Sequence, residues 1–381
     1  MNRDFDVGVV GAGIVGLAHA YHLARRGLRV VVLERHPRAQ GASVRNFGMI
    51  WPIGQPPGPR YDLARRSREL WLEILRASGL WHQSCGSLHV AYRDDEAQVL
   101  REFVSDASHH GRPCELWTAS QVGDRFPAIR QKGLRAALWS PLEVGVDPRQ
   151  ILAEFPNWLA RTLGVVFAFG TTVLRYECPR LVTTDGEWSL GSLVICSGAD
   201  FRELAPLAFA ESGLVPCKLQ MMRSQAYGER FRLGTLLAAG LTLRHYPSFA
   251  TCPTLPELSR RLDAELPEYG RFGIHVLLAQ NQQGELVIGD SHEYGDAIEP
   301  FDKTHIEDLI LAYLRTIANI PELTIAARWH GLYVKHPTEA YVVARPAPET
   351  LAVSGVGGAG MTLSFGLAEQ IVRDWRGESH D

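Results

Sequence analysis

No apolar run in this chain is long enough to span a bilayer. The first one, beginning at Phe5 behind Arg3 and Asp4, is interrupted by Gly11 and Gly13, so neither a transmembrane nor a targeting segment is expected. The chain also lacks any C-x-x-C pair. Its six cysteines, Cys85, Cys114, Cys178, Cys196, Cys217 and Cys252, are scattered, which argues against a zinc site or a disulfide framework and suits reduced thiols in the cytoplasm. No charge of one sign prevails: 39 basic against 42 acidic residues give a net charge of -3, so nothing global attracts nucleic acid or an anionic membrane. Any anion recognition must be local. Internal repeats and low-complexity tracts are absent as well. What is present is 381 residues, 46% hydrophobic and 21% charged, enough for two joined domains around a sizeable core.

Phe5 to Val10 reads as a buried strand, Ile14 to Arg26 as a helix closed by Gly27, and Arg29 to Leu33 as a second strand, together a βαβ unit. The Gly/Pro-rich stretch from Gly41 to Pro59 holds Phe47, Met49, Ile50 and Trp51, which marks it as a binding loop and not a linker. Helical spacing resumes from Leu63 to Leu75, and a second domain opens with a strand near Ser87 to Ala91 and a polar helix around Asp94 to His109. Short strands at Val165–Phe169, Thr171–Tyr176 and Leu193–Cys196 return to the first domain. A β-rich stretch from Lys218 to about Ile298 belongs to the second, and Ile306 to Ile317 is an amphipathic helix.

At the first strand-to-helix junction stands Gly11-Ala12-Gly13-Ile14-Val15-Gly16, the G-x-G-x-x-G spacing of a dinucleotide site. Gly11 permits the tight turn, Gly13 the approach of a pyrophosphate to the helix N-terminus, and Gly16 close helix–strand packing. Glu34, 18 residues beyond Gly16, ends the second strand where a carboxylate meets the adenosine ribose. The fingerprint alone does not separate NAD from FAD, which share that half. FAD needs distant segments to converge on its ring, and two candidates exist: Leu193 to Ala199, a strand running into Ser197-Gly198-Ala199, and Gly355-Val356-Gly357-Gly358-Ala359-Gly360 opening a helix near Met361 or Thr362. Backbone N–H groups at that helix end suit the flavin N1/C2=O edge.

Together with the Gly41-Ala42-Ser43 turn and Gly48, these residues resemble the D-amino-acid oxidase superfamily, which includes glycine oxidase and sarcosine oxidase. Three stretches, Ser43 to Gln55, Gly289-Asp290-Ser291-His292-Glu293-Tyr294-Gly295 and Gly357 to Gly366, are similar to the FAD-dependent oxidoreductases associated with 2-aminoethylphosphonate catabolism. The resemblance implies an α/β chain: a Rossmann-type FAD-binding domain of the glutathione-reductase-like kind from residues 1–80, 145–215 and 320–381, and an antiparallel β-sheet substrate domain from residues 81–144 and 216–319. It implies cofactor contacts from Gly11, Gly13, Ile14, Val15, Gly16, Glu34 and Arg35; from Ser43, Arg45, Asn46, Gly48, Met49 and Val173; from Ser197, Gly198, Ala199 and Gly331; and from Gly357, Gly358, Gly360, Met361 and Thr362.

Flavin carries the difficult chemistry of amine oxidation, so no nucleophile or metal need be encoded; none is expected. The protein must deprotonate the substrate amine, orient its C–H bond and bind the remainder. His292, in a Gly-x-x-His-x-x-Gly setting that resembles sarcosine oxidases, is the candidate acceptor of the ammonium proton, starting from an ordinary pKa of about 6.5. An anionic substrate end would need Arg45, Lys218, Arg223, Arg244 or Lys335, with Arg223 and Arg244 expected on strands of the substrate domain. Trp51, Gln55, Tyr246 and Tyr294 are further candidates for the substrate pocket, while His245 and His330 read as structural. Two departures from the sarcosine-oxidase pattern matter. The flavin-tethering cysteine is replaced by Gly331, so FAD should be non-covalent. The lysine used in oxygen activation is replaced by Val287, which leaves Lys335 or His292 to supply positive charge if O2 is the electron acceptor.

The expected activity is oxidation of a small, anionic amine: N-dealkylation of an N-alkylated, especially N-methylated, 2-aminoethylphosphonate to the parent amine, an aldehyde and H2O2. A glycine, sarcosine or D-amino-acid oxidase is the nearest alternative. An NAD-dependent dehydrogenase and a non-catalytic FAD-binding subunit are the alternatives of another class; the first predicts a colourless protein and the second a yellow one that no amine reduces.

Overall fold

The computed structural model describes residues 3–375. Asp4–Val10 and Val30–Glu34 pair in parallel, and Ile14–Arg25 crosses between them. Five strands run parallel in the order Thr350–Ser354, Gly186–Ile195, Asp4–Val10, Val30–Glu34, Val166–Phe169. Val7, Val9, Val31 and Val32 are fully buried, as strands covered on both faces require. Ile14–Arg25 is almost wholly buried because Pro148–Leu163 and Gly360–Trp375 pack on it. Antiparallel additions at the sheet's edge, Val173–Glu177, Arg180–Thr183 and Val342–Ala347, bring it to eight strands.

The second sheet has nine strands. Val215–Ser224 pairs on one side with Leu286–Gly289 and Glu293–Tyr294, and the sheet continues through Leu277–Gln280, Leu236–Ala239, Ser87–Ala91, Ala136–Ser140 and Glu115–Trp117. It is antiparallel throughout except for Leu236–Ala239 beside Ser87–Ala91. The helix Thr304–Ile317 packs on it through Ile306, Ile310, Leu314 and Ile317.

On its other side Val215–Ser224 pairs with Ile325–Lys335 along nearly its whole length. The expected division at residue 320 assigned that strand to the cofactor unit, whereas its hydrogen bonds put it in the substrate sheet. Its alternating exposure imitates a solvated edge in sequence, and only the long-range ladder reveals its partner. Arg244 also departs from expectation: it follows a short helix, Gly240–Leu243, and is not on a strand.

The two units share a seam. A small sheet of Met49–Ile50, Val144–Val146 and His82–Gln83 ties the binding loop to the second unit. The helix Gly360–Trp375 lies against Pro59–Ser78, where a Cβ on Gly366 would stand 2.7 Å from the Leu63 carbonyl oxygen. Trp71 fixes the start of that helix by donating its indole N–H to the Met361 carbonyl at 2.7 Å. All six cysteines are unpaired, and among the described residues no helix is long and apolar enough to cross a membrane.

Candidate functional site

An elongated cavity of about 420 Å³ begins at the first strand-to-helix turn. Gly11 has φ +97°, and a Cβ there would stand 2.5 Å from the Cys196 carbonyl oxygen; a Cβ on Gly16 would stand 2.0 Å from the Gly11 carbonyl oxygen. Glycine is therefore demanded by backbone contact at both places. No side chain caps the helix at Gly13, and the Ile14 N–H donates to Ser43 Oγ at 2.9 Å. Glu34 is buried at the strand end; its two carboxylate oxygens accept the Ala12 and His36 backbone N–H groups, each at 3.0 Å. The carboxylate is thus fixed while retaining lone pairs for ribose hydroxyls.

From this turn the cavity passes Ser43, Arg45 and Asn46, then Val173 and Ser197 to Ala199, and reaches Gly331, Tyr333 and the segment Val353 to Met361. Eighteen of the expected cofactor residues line it: Gly11, Gly13, Ile14, Val15, Glu34, Arg35, Ser43, Arg45, Asn46, Val173, Ser197, Gly198, Ala199, Gly331, Gly357, Gly358, Gly360 and Met361. Gly16, Gly48, Met49 and Thr362 stand behind the wall. A Cβ on Gly48 would stand 2.0 Å from the Val146 carbonyl oxygen, Met49 is buried, and Thr362 Oγ1 accepts the Trp51 N–H at 2.9 Å. Arg35, at the rim, is paired with Asp200 and Glu203. A cradle of glycines, an anchored acid and an open helix N-terminus fit an adenine dinucleotide, and the far end of the cavity has room for a second ring system.

At that far end, Asp290 enters the cavity wall and three histidines gather behind it. His275 and Asp290 exchange backbone hydrogen bonds of 3.2 and 3.0 Å, just beyond the ladder of Leu277–Gln280 with Leu286–Gly289 and one residue out of its register. That rung brings His275 Nε2 to 3.2 Å from Asp290 Oδ1. His292 Nδ1 is 3.0 Å from the Gly273 carbonyl oxygen, and its Nε2 is 3.8 Å from Asp290 Oδ2. Gly273, at φ +56°, lets the chain pass His292: a Cβ would stand 2.9 Å from the His292 Cβ. The His245 ring stacks on His275 at 3.7 Å and lies 4.5 Å from His292. Tyr246 meets His275 edge-on at 5.8 Å, and Tyr294 stacks on His292 at 6.1 Å.

Burial governs the charge of this cluster. It lowers the His292 pKa to about 4, with the Gly273 hydrogen bond opposing and the Lys335 ammonium reinforcing. Burial likewise pushes His245 and His275 well below their ordinary value and Asp290 well above its own. The imidazoles are therefore neutral near pH 7 and weak bases, whereas the same burial makes the ionised Asp290 carboxylate the strongest proton acceptor of the cluster. Lys335 lies beside Gly357 and 5.9 Å from the Tyr294 ring centroid, and no carboxylate pairs with it among the described residues.

The other expected basic residues differ in availability. Arg45 donates to the His330 carbonyl at 3.0 Å and lines both the cofactor cavity and an adjoining one of about 510 Å³. Arg223 lines the adjoining cavity with its Nε 3.4 Å from Glu285. Lys218 is buried and held by Asp302 and by the Glu299 and Phe301 carbonyls, and Arg244 is held by Asp263 at 2.7 Å; neither reaches a described cavity. Trp51 is buried 6.3 Å from Tyr246, and Gln55 is buried with its backbone carbonyl accepting from Arg112 at 3.2 Å, away from both described cavities. Sequence reasoning missed His275 and took His245 for structural. No motif marks either, although Asp290 lies inside the quoted Gly289–Gly295 stretch.

The family described as FAD dependent oxidoreductase matches residues 6–373. A monomeric sarcosine oxidase from Streptomyces avermitilis is 30% identical over 205 residues, covering 52% of this chain and 53% of that protein. An N-methyl-L-tryptophan oxidase from Yersinia pestis is 24% identical over 210 residues, covering 53% and 56%. The chain thus spans about half the length of the curated relatives it matches. Glycine oxidase from Bacillus cereus superposes with a TM-score of 0.80 at 18% identity over 99% of this chain and 96% of its own. Iminodiacetate oxidase from Chelativorans gives 0.74 at 19% identity over 98% and 97%; these likenesses show the fold. The family match takes in nearly every residue from the first strand to the last helix, and the protein belongs to the FAD dependent oxidoreductase family.

Proposed function

We propose that this protein uses non-covalently bound FAD to oxidise a small secondary amine, and that the amine is an N-alkylated, above all N-methylated, 2-aminoethylphosphonate. The observation that carries the amine reading is the cluster of neutral histidines and Asp290 at the flavin-ring end of the cofactor cavity. A buried acceptor beside a hydride-accepting cofactor is what an ammonium substrate needs before its C–H bond can be oxidised. The substrates named for the two sequence relatives, sarcosine and N-methyl-L-tryptophan, both carry an N-methyl group. The phosphonate rests on the resemblance of the Ser43–Gln55, Gly289–Gly295 and Gly357–Gly366 stretches and on Lys335, a cation beside Tyr294 with which no carboxylate pairs among the described residues.

Bound FAD supplies hydride acceptance and returns the electrons to O2. The chain's own residues do the rest. The cluster takes the ammonium proton, Lys335 with Arg45 holds the anionic end, and Tyr246 and Tyr294 wall the alkyl group. Loss of a proton from the ammonium nitrogen and a hydride from the α-carbon leaves an iminium ion, the protonated imine, which water converts to the parent amine and an aldehyde. Gly331 offers no thiol for a covalent tether.

The test is anaerobic mixing of the purified protein with N-methyl-2-aminoethylphosphonate, sarcosine, glycine and D-alanine while following flavin absorbance, then admitting air. Selective bleaching by the phosphonate and rapid recovery in air support the whole reading. Bleaching by the carboxylates alone rejects the phosphonate, and slow recovery in air rejects O2 as acceptor.

A further inference from the structure

We propose that Asp290 and His275 form a buried proton-accepting pair for the substrate ammonium, with His292 completing the slot into which the proton moves. The proposal rests on the reading of the protein as an amine oxidase and gives the acceptor role to a carboxylate–imidazole pair in place of His292 alone.

The geometry shows a missing proton. Gly273 offers His292 Nδ1 only a carbonyl oxygen, so Nδ1 carries the hydrogen and Nε2 presents a lone pair. That lone pair faces Asp290 Oδ2, itself an acceptor, 3.8 Å away. His275 Nε2 lies 3.2 Å from the other oxygen without a well-formed hydrogen bond, and both His275 nitrogens and Asp290 Oδ1 are buried without partners among the described residues. Buried polar atoms in a native protein are nearly always satisfied. One added proton, with a cation or neutral amine beside it, satisfies this set.

Charge leads to the same assignment. No Lys or Arg pairs with Asp290 among the described residues. The phenols of Tyr246, Tyr294 and Tyr333 and the Cys217 thiol sense its charge, and burial raises all four, so they stay neutral. The nearby cations, Lys335 and Arg244, act on the histidines. Burial without a cationic partner raises the Asp290 pKa, so its ionised form is both the counter-charge for an arriving ammonium and a strong acceptor of the ammonium's proton. In the transfer the substrate N–H bond breaks and an O–H bond forms on Asp290, with His275 Nε2 beside its other oxygen. The amine keeps the electron pair, no electrons change owner, and two buried charges become none, which low dielectric favours.

The three histidines also place their nitrogens within 4.8 Å of one another. His245 and His275, however, stack at 3.7 Å with planes only 27° apart. Lone pairs confined to two such stacked planes cannot both point squarely at one ion between them.

The experiment compares the wild-type holoenzyme with Asp290→Asn, checking FAD occupancy and melting temperature first. N,N,N-trimethyl-2-aminoethylphosphonate, a fixed cation with no proton to give, is titrated by flavin absorbance from pH 6.5 to 9. Anaerobic bleaching is then followed with whichever amine reduces the wild type. Asp290→Asn is expected to weaken the fixed cation at least tenfold and to slow bleaching at pH 7 at least tenfold. Its rate should recover as pH approaches the amine's own pKa, and Asp290→Glu should restore part of both. Unchanged cation affinity with an unchanged pH profile overturns the proposal, as does a stoichiometric metal in the wild type that Asp290→Asn loses. If Asp290→Asn cannot hold FAD, His275→Gln undergoes the same measurements. If no amine bleaches the wild type, the amine reading fails by that result, and the fixed-cation comparison still decides the fate of the pair.

Discussion

Replacing Gly16 by alanine would test the cofactor site through a single methyl group. Its Cβ would stand 2.0 Å from the Gly11 carbonyl oxygen and 3.4 Å from Val9 Cγ1. The helix Ile14–Arg25 would have to withdraw from the strand by about 1 Å to restore a tolerable contact in a close-packed interior. Overpacking of this kind costs about 1–3 kcal/mol. The same withdrawal moves the first-turn N–H groups that follow Gly13, a residue without a capping side chain, away from the pyrophosphate, so cofactor affinity should fall as well. Thermal melts with and without added FAD separate the two effects: Gly16→Ala should melt several degrees lower without FAD and gain less from adding it. Absorbance of the purified protein should show substoichiometric flavin. Wild-type flavin content and an unchanged melting temperature would refute the assignment of Gly16 to the helix–strand contact. Gly27→Ala is the control, since its Cβ would meet nothing within 4 Å, leaving only the strain of its φ of +80°.

Other perturbations address the substrate end and the buried histidines. Lys335→Met should raise KM for N-methyl-2-aminoethylphosphonate at least tenfold with FAD content unchanged, whereas Arg244→Ala should leave KM within twofold; the reverse ranking in steady-state assays would move the anion site to Arg244. His89 is fully buried without a hydrogen-bond partner, and burial alone lowers its pKa to about 3. Its folded pKa lies below the ordinary 6.5, so between those values the unfolded chain binds more protons and stability falls as pH drops. Urea unfolding should therefore lose up to about 1.4 kcal/mol per pH unit from His89 below pH 6.5. His89→Leu should remove that part of the slope, and an unaltered slope would show His89 to be solvated.

The parts legible in the sequence are those encoded by neighbours. The turn Gly11 to Gly16, the buried strands on either side and Glu34 follow from local spacing, and the Ser197–Ala199 and Gly357–Gly360 turns from their small residues. The histidine cluster was only partly visible. His292 sits in a recognisable setting, but His275 reaches Asp290 through a rung between segments that no short motif connects, and His245 through ring stacking. The basic candidates show the same limit. Lys218, Arg244 and Lys335 are equivalent in a sequence, and only the fold reveals that Asp302 and Asp263 occupy the first two and that no carboxylate among the described residues pairs with the third.

The strand Ile325–Lys335 has a consequence for taking the molecule apart. It pairs along Val215–Ser224, yet Gly331 to Val334 line the cofactor cavity and Lys335 bridges to Val356. A fragment cut at residues 216 and 319 would carry all but the first residue of Val215–Ser224, stripped of this neighbour, with an apolar edge exposed to self-association. The complementary fragment would keep a cavity whose floor strand had lost its own support. Neither piece is a module that evolution or an engineer could exchange by itself. Under the proposed function, substrate preference is more readily altered at Tyr246, which meets Trp51 and His275 without passing through the shared strand.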